Sequence, residues 1–374
     1  MEISDFAVIG AGIAGASVAA ELSRSASVTL IEGEDQPGYH TTGRSAALFT
    51  KAYGPAVIRA LTRASESFFT NPQSEFIQHP LLHNRKAIFV ARRDQSSSLT
   101  ALHEQLGDAV RPLTDQQIGE YMPLLKPGYA EQGLLDEDAS DIDVNALHQH
   151  FLRTCKTNGA TVISDALIEE IERDGKSWIL KSRNETFAAN IIVNAAGAWC
   201  DEIARLAGVT TIGLVPKRRT GIIIEPPAGV DPSALPMIAD VDEAFYLKPE
   251  AGKLMVSPAD ETPSPPCDAQ PEPIDVAVCL DRIERAFHLP APRVLRSWAG
   301  LRSFVADKCP VVGFDPDNKG FFWLAGQGGY GIQTAPALAR LAAALALGIT
   351  LPTDVIKEGV SPNDLNSTRE GLST

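Results

Sequence analysis

The stretch Phe6-Ala7-Val8-Ile9-Gly10-Ala11-Gly12-Ile13-Ala14-Gly15, followed by Val28-Thr29-Leu30-Ile31-Glu32, decides the fold of this chain. Residues 6–10 form a short apolar run that stops at glycine, the pattern of a parallel strand buried on both faces. Small residues from 13 to 24 predict a helix and 28–31 predict a second strand, so the segment reads as a strand–helix–strand unit. Its glycines follow Gly-x-Gly-x-x-Gly. Gly10 allows the tight turn, Gly12 lets a diphosphate reach the backbone, and Gly15 lets the helix pack closely on the sheet. Unpaired N–H groups at the helix start, at the positive end of its dipole, would hold that diphosphate. Glu32 ends the second strand about twenty residues on, where a carboxylate binds ribose hydroxyls and disfavours a 2′-phosphate. Strand, spacing, helix and acid agree on a bound dinucleotide; on these residues alone FAD and NAD both fit.

The chain of 374 residues is long enough for two domains or one composite of two. With 44% hydrophobic and 21% charged residues it can build a globular core. A net charge of -14 repels phosphate backbones, so nucleic acid is not an expected partner. Cys155, Cys200, Cys267, Cys279 and Cys309 are scattered without a Cys-x-x-Cys pair, as in a reduced cytoplasm. Met1-Glu2-Ile3-Ser4-Asp5 lacks the basic start of a signal peptide. The apolar stretch 336–349 carries Arg340 and is too short to span a bilayer. A cytoplasmic location is expected, at most peripheral to the inner face of the membrane. His148 and His150, two apart on a helix, point to different faces and cannot chelate, so no metal is expected. No Gly-x-Ser-x-Gly elbow occurs.

Further along, residues 55–140 mix helix and strand, and 143–158 predict a helix. Residues 167–181 alternate on either side of Asp174-Gly175, a hairpin signal. Ile191-Ile192-Val193 predicts a buried strand stopping at Asn194-Ala195-Ala196-Gly197, and β-branched strands recur from 212 to 256. The glycines of 326–331 precede an apolar helix over 332–347. The proline-dense stretch 258–273 is expected to be irregular and exposed, a surface loop in preference to a lid. Beyond residue 360 the polar tail is expected to be loose.

Three stretches carry a family likeness: Gln36-Pro37-Gly38-Tyr39-His40-Thr41-Thr42-Gly43-Arg44-Ser45, Ile192-Val193-Asn194-Ala195-Ala196-Gly197-Ala198-Trp199, and Gly328-Gly329-Tyr330-Gly331-Ile332. They resemble the D-amino-acid oxidase and sarcosine oxidase superfamily of FAD oxidoreductases. Further blocks, from Gly38-Tyr39-His40 through Arg44–Ala47 to Tyr53-Gly54, and again Pro216–Arg219, Phe245–Pro249, Trp298–Asp307 and Gln327–Thr334, look most like the bacterial FAD-dependent D-arginine dehydrogenases, weakening over 83–135 and 258–295. The resemblance implies an α/β fold in which a Rossmann-type FAD-binding domain is interleaved with a mixed-sheet α+β substrate domain, glutathione-reductase-like and of the D-amino-acid oxidase type. It places FAD binding in 1–82, 143–214 and 299–374, and the substrate domain in 83–142 and 215–298. FAD contacts are implied for Gly10, Gly12, Ile13, Ala14, Gly15, Glu32, Gly43, Arg44, Ser45, Ala47, Leu167, Ala196, Gly197, Trp199, Gly329, Tyr330, Gly331, Ile332 and Gln333. A helix start at 331 facing the flavin would stabilise its reduced, negatively charged edge. Gly300 stands where sarcosine oxidases carry the cysteine of covalent flavin, so FAD is expected to be non-covalent.

The resemblance also implies an amino-acid substrate. Arg219 and Arg302 match the family's carboxylate-binding arginines, whose fork suits a bidentate contact; Arg218 is read as a surface charge. Tyr53, from a mobile loop over about 45–55, and Tyr246 match tyrosines that reach the same carboxylate. The Gly300 carbonyl would accept from the amine, and Gln333 would line the flavin edge. The implied reaction moves a hydride from Cα to flavin N5, giving an imino acid that water converts to a 2-oxo acid and ammonia. Binding geometry supplies most of the catalysis. Ala87 and Leu48 stand where the D-arginine dehydrogenases have a glutamate and a histidine facing the substrate side chain. Neutral or apolar D-amino acids are therefore expected over D-arginine, unless Glu75, Glu104 or an acid from 240–243 compensates. Met255 matches the oxygen-activating lysine of sarcosine oxidases, with Lys253 on the same face, so a dehydrogenase is expected over an oxidase. The electron acceptor is open between a quinone, an electron-transfer protein and oxygen. Other readings are a secondary amine of the sarcosine or glycine type, a 2-hydroxy acid, or a flavin-binding module without turnover.

Overall fold

The computed structural model describes residues 2–290 and 292–372. Its first strand, Ile3–Ile9, starts earlier than the apolar run because its leading residues are solvated. It lies parallel between Val28–Ile31 and Thr186–Asn194. Thr161–Ile163 extends the sheet beyond Val28–Ile31, and Phe321–Ala325 extends it beyond Thr186–Asn194, both parallel. Val8, Leu30, Val193 and Phe322 are all fully buried along these strands, each contributing roughly 1.5–3 kcal/mol by leaving water. Val311–Phe314 closes one edge antiparallel. The hairpin Ile168–Asp174 and Ser177–Ser182 turns at Asp174-Gly175, and pairs with the first half of Thr186–Asn194.

The helix Ile13–Leu22 follows the first strand, and its small side chains let two other helices, Val144–Thr157 and Gly331–Leu347, pack against it. The Cys155 thiol donates to the Ala16 carbonyl at 3.5 Å across one of these contacts. Gly331–Leu347 ends at Gly348, whose φ of 64° is the left-handed stop that glycine permits. Among the described residues no helix is long and apolar enough to cross a membrane.

A second sheet runs in the order Thr262–Pro263, Val215–Ile224, Lys253–Ser257, Tyr246–Glu250, Met237–Asp240, Ala87–Ala91, Gln132–Asp136, Arg111–Thr114. Val294–Phe304 pairs antiparallel along Val215–Ile224. It therefore crosses the boundary expected at residue 299 while staying in the second sheet throughout. The helix Pro273–Ala286 supplies Cys279 and Ile283 to this sheet's core, with Ile88, Ile222, Leu254 and Phe287. A small sheet of Leu48–Phe49, Ser140–Ile142 and Leu82–Asn84 links segments of the two larger ones.

Two expectations are corrected. The stretch 258–272 is irregular apart from the two-residue strand Thr262–Pro263, and Ala259 and Ala269 are buried. Asp260 accepts from the Thr220 N–H and hydroxyl at 2.6 and 3.0 Å, and Arg44 donates to the Ala269 carbonyl at 3.0 Å. Proline lacks an N–H to donate, which limits pairing here to the short edge strand Thr262–Pro263, but leaves carbonyls and neighbouring side chains free to dock. The tail beyond 360 is likewise fastened. The Val312 N–H donates to the Leu365 carbonyl at 2.7 Å, Leu365 is fully buried, and Arg369 pairs with Asp307 at 2.7 Å.

Candidate active site

One cleft of about 1260 Å³, counting its solvent-open mouth, runs between the two sheets. Gly10, Gly12, Ile13, Ala14 and Glu32 line one end; Arg219, Tyr246, Met255, Trp298, Gly300 and Arg302 line the other. The first end is shaped by glycine. Gly10 has φ 93°, and a Cβ there would sit 2.6 Å from the Ala195 carbonyl oxygen. A Cβ at Gly15 would lie 1.8 Å from the Gly10 carbonyl oxygen, so the helix could not approach the turn. Gly12 caps the helix with no side chain, leaving its N-terminus open toward the cleft.

Around this turn the Ile13 N–H donates to Thr42 Oγ1 at 2.9 Å, and the Ala11 N–H to Glu32 Oε2 at 2.8 Å. His148 Nε2 donates to the Ala11 carbonyl from behind at 2.8 Å. Burial pushes the Glu32 carboxyl upward, against the pull of the Glu34 and Ala11 N–H groups. An acid held at the end of the second strand beside a helix start whose cap residue, Gly12, has no side chain fits the ribose and diphosphate of a dinucleotide.

The walls come from distant segments. Arg44, Ser45, Ala196, Gly197, Trp199, Gly329, Gly331 and Ile332 line the cleft. The ring of His40 lies 4.7 Å from that of Trp199. The remaining expected cofactor residues stand behind this lining. Gly15 backs the turn, and the Gly43 N–H closes its loop onto the Gly38 carbonyl at 2.8 Å. The Ala47 carbonyl accepts from the Ile142 N–H at 3.3 Å. Leu167 is exposed beside Gly33, and Tyr330 caps the helix Gly331–Leu347.

At the other end, strand register brings the arginines together. Arg219 faces Gly300, and Lys217 faces Arg302, across Val215–Ile224 and Val294–Phe304. Residues two apart share a strand face, so Arg219 and Arg302 become diagonal neighbours. Arg219, 8% exposed, donates from Nε to the Asp260 carbonyl at 2.8 Å and pairs with Glu261 at 3.2 Å. Arg302 donates from Nη1 to the Tyr53 hydroxyl at 3.5 Å. Among the described residues no carboxylate lies within 4.0 Å of its guanidinium. Burial opposes its charge, but Tyr53, Tyr246 and Glu243 together hold its pKa above the ordinary value. Burial likewise raises the Tyr53 phenol, against the influence of Arg302. A Cβ at Gly329 would sit 2.9 Å from Arg302 Nη1, so glycine there lets the guanidinium reach the start of the helix Gly331–Leu347.

Apolar groups complete this end. Tyr246 and Met255 pack together with Trp298. A Cβ at Gly221 would lie 2.6 Å from the Trp298 ring, so the indole rests on bare backbone and donates to the Arg44 carbonyl at 3.0 Å. Trp298, Gly221 and Thr42 were not singled out by sequence. Trp298 and Thr42 lie inside the family-like blocks, which was the available signal.

Other placements differ from expectation. Gln333 does not line the cleft: its side chain accepts from the Thr50 N–H at 3.3 Å and donates to Thr62 at 3.0 Å. Ala87 is buried in the second sheet opposite Asp136 and Met237, and Leu48 pairs with Asp141 in the small sheet; neither lines the cleft. Lys253 turns to Glu225 at 2.7 Å, away from the cleft-lining Met255. Arg218 is no free surface charge, pairing with Asp275 at 2.8 Å and Glu272 at 3.3 Å. Among the described residues no cluster of His, Cys, Asp or Glu is arranged to hold a metal ion.

Comparison with known proteins gives the family. The chain is 22% identical over 355 residues to glycerol 3-phosphate dehydrogenase of Caloramator mitchellensis, covering 89% of this chain and 72% of that one. It is 24% identical over 370 residues to glycine oxidase of Bacillus licheniformis, covering 94% and 95%. The crystal structure of glycine oxidase from Geobacillus kaustophilus superposes with a TM-score of 0.83 at 21% identity, covering 99% of this chain and all of that one. The model of the DAO family, FAD dependent oxidoreductases, matches residues 5–345. This chain is a member of the DAO family of FAD-dependent oxidoreductases.

Proposed function

We propose that this enzyme oxidises the amine-bearing carbon of a neutral or apolar D-amino acid, yielding a 2-oxo acid and ammonia, and works as a dehydrogenase. One observation carries the reading: Arg302, without a carboxylate partner among the described residues, stands in the cleft with Tyr246, Met255 and Trp298. A guanidinium so placed suits a carboxylate bound through two parallel hydrogen bonds, and the apolar neighbours suit an uncharged side chain. Arg302 and Arg219 orient the carboxylate, Tyr53 closes on it, and the Gly300 carbonyl takes the amine. Bound FAD supplies the hydride acceptor. Among the described residues that line this end of the cleft there is no carboxylate or imidazole, Glu243 and Glu261 standing beside Arg219 outside that lining, so the amine reaches its neutral form by exchange with water at the mouth. The D configuration rests on the resemblance to D-arginine dehydrogenases. Dehydrogenase activity is favoured by Met255, with Lys253 held elsewhere by Glu225, because no lysine stands ready to stabilise superoxide.

The relatives named for glycerol 3-phosphate and for glycine suggest other substrates. Glu243 and Glu261 beside Arg219 disfavour a phosphate dianion. The test is anaerobic mixing of holoenzyme with D- and L-leucine, methionine, phenylalanine and arginine, and with glycine, sarcosine, 2-hydroxy acids and glycerol 3-phosphate. D-leucine, D-methionine and D-phenylalanine should bleach the flavin fastest, and air should restore the colour slowly. Preference for D-arginine, or bleaching confined to the other classes, overturns the reading.

A further inference from the structure

The turn 241–245, between Met237–Asp240 and Tyr246–Glu250, carries Glu243 at its tip toward the arginine end of the cleft. Its backbone is held firmly. Glu243 has φ 56°, its N–H donates to the Asp240 carbonyl at 3.0 Å, and the Asp240 carboxylate accepts from the N–H groups of Asp242 and Ala244 at 3.0 and 3.2 Å. Its side chain is free by contrast. It is 50% exposed, and its nearest cation is Arg219, with Oε2 3.9 Å from Nη2, the outer limit of an ion pair. Its charge also acts on Tyr53, Arg302 and Tyr330. Glu261, the other acid here, is fully engaged, 2.9 Å from Lys217 and 3.2 Å from Arg219. Glu243 is thus a half-exposed carboxylate on a rigid turn, facing the arginines without closing on them.

We propose that Glu243 is a resident counter-anion of the arginine clamp, which an incoming carboxylate must displace from Arg219, so that it weakens anion binding and favours singly charged ligands. This rests on the carboxylate-clamp reading above. Two carboxylates beside one guanidinium repel each other, and a half-exposed glutamate can swing into water to relieve that repulsion. A ligand with a second negative charge meets the same acid again, which disfavours dicarboxylates and phosphate monoesters.

The experiment titrates FAD-loaded enzyme with benzoate, a carboxylate with no amine, and follows the flavin absorbance. Glu243→Gln should tighten the benzoate Kd roughly twofold to fivefold at low salt, the span of a partly exposed ion pair. The gain should shrink as salt screens it. Glu243→Asp, which keeps the charge and tolerates the same backbone, should stay near the wild-type value. Unchanged or weaker binding in Glu243→Gln overturns the inference, and if Arg302→Met abolishes binding the clamp itself survives. Wild-type affinity in Arg302→Met removes both.

Discussion

Arg302 concentrates the chemistry of the proposed site in one side chain: it is buried, charged, without a carboxylate partner among the described residues, and faces Tyr53. Methionine would fill much of its volume without charge. Losing a charge-assisted contact to a buried carboxylate costs roughly 2–5 kcal/mol. Arg302→Met should therefore lower kcat/KM for the best amino acid by about thirtyfold to several thousandfold, while FAD stays bound because the glycine turn is untouched. Steady-state kinetics beside the flavin spectrum decide it; near-normal kcat/KM would remove Arg302 from substrate binding. At this scale Gly15 was readable from sequence, since the Gly10 carbonyl that excludes a Cβ there is five residues away; Gly10 was readable through the turn it makes, with φ 93°, although the Ala195 carbonyl that also excludes a Cβ there is distant in the chain. Glu243 was legible only as one acid in a short acidic segment, because nothing local shows which way a turn tip faces.

Helix Val144–Thr157 supports the dinucleotide end through His148 and carries His150 deeper in the packing. His150 bonds Ser74 at 2.8 Å among the rings of Phe68 and Phe151. Burial, with a smaller push from Arg24, lowers its pKa from 6.5 to about 4. The folded state thus keeps the ring neutral where the unfolded chain would protonate it. This part of stability is whole above pH 6.5, falls as pH drops from 6.5 toward 4, and changes no further below that. Burial lowers the His148 pKa too, with the same sign. Between pH 7 and pH 5 the wild type should lose about 2 kcal/mol through His150. His150→Asn should lose correspondingly less over that span. Thermal midpoints of both proteins at the two pH values measure it, and identical losses would show that His150 takes up its proton as readily in the folded state as in the unfolded one. Helix and hairpin positions were accessible from sequence, because burial periodicity and Asp174-Gly175 act over a few residues.

At the scale of the whole molecule the cleft lies in the seam between the two sheets, so bound FAD touches segments distant in the chain. A ligand that binds only the folded state stabilises it by mass action, about 2.7 kcal/mol at a hundredfold excess over Kd. Apoenzyme should melt well below holoenzyme and regain the difference on titration with FAD. Acid precipitation should release all the yellow colour, since Gly300 offers no thiol; colour kept in the pellet would show a covalent link. The sequence by itself determined the strand–turn–helix, its acid, the alternation of elements and the family-like blocks, because backbone sterics and burial periodicity are short-range. Only the tertiary structure decided the substrate end. Register between Val215–Ile224 and Val294–Phe304 makes Arg219 and Arg302 neighbours. The same long-range pairing places Ala87 and Leu48 in ladders outside the cleft, ties Gln333 to Thr50 and Thr62, and docks the proline-rich stretch onto Arg44 and Thr220. Where side chains converge depends on how distant strands align, and no local rule of propensity carries that information.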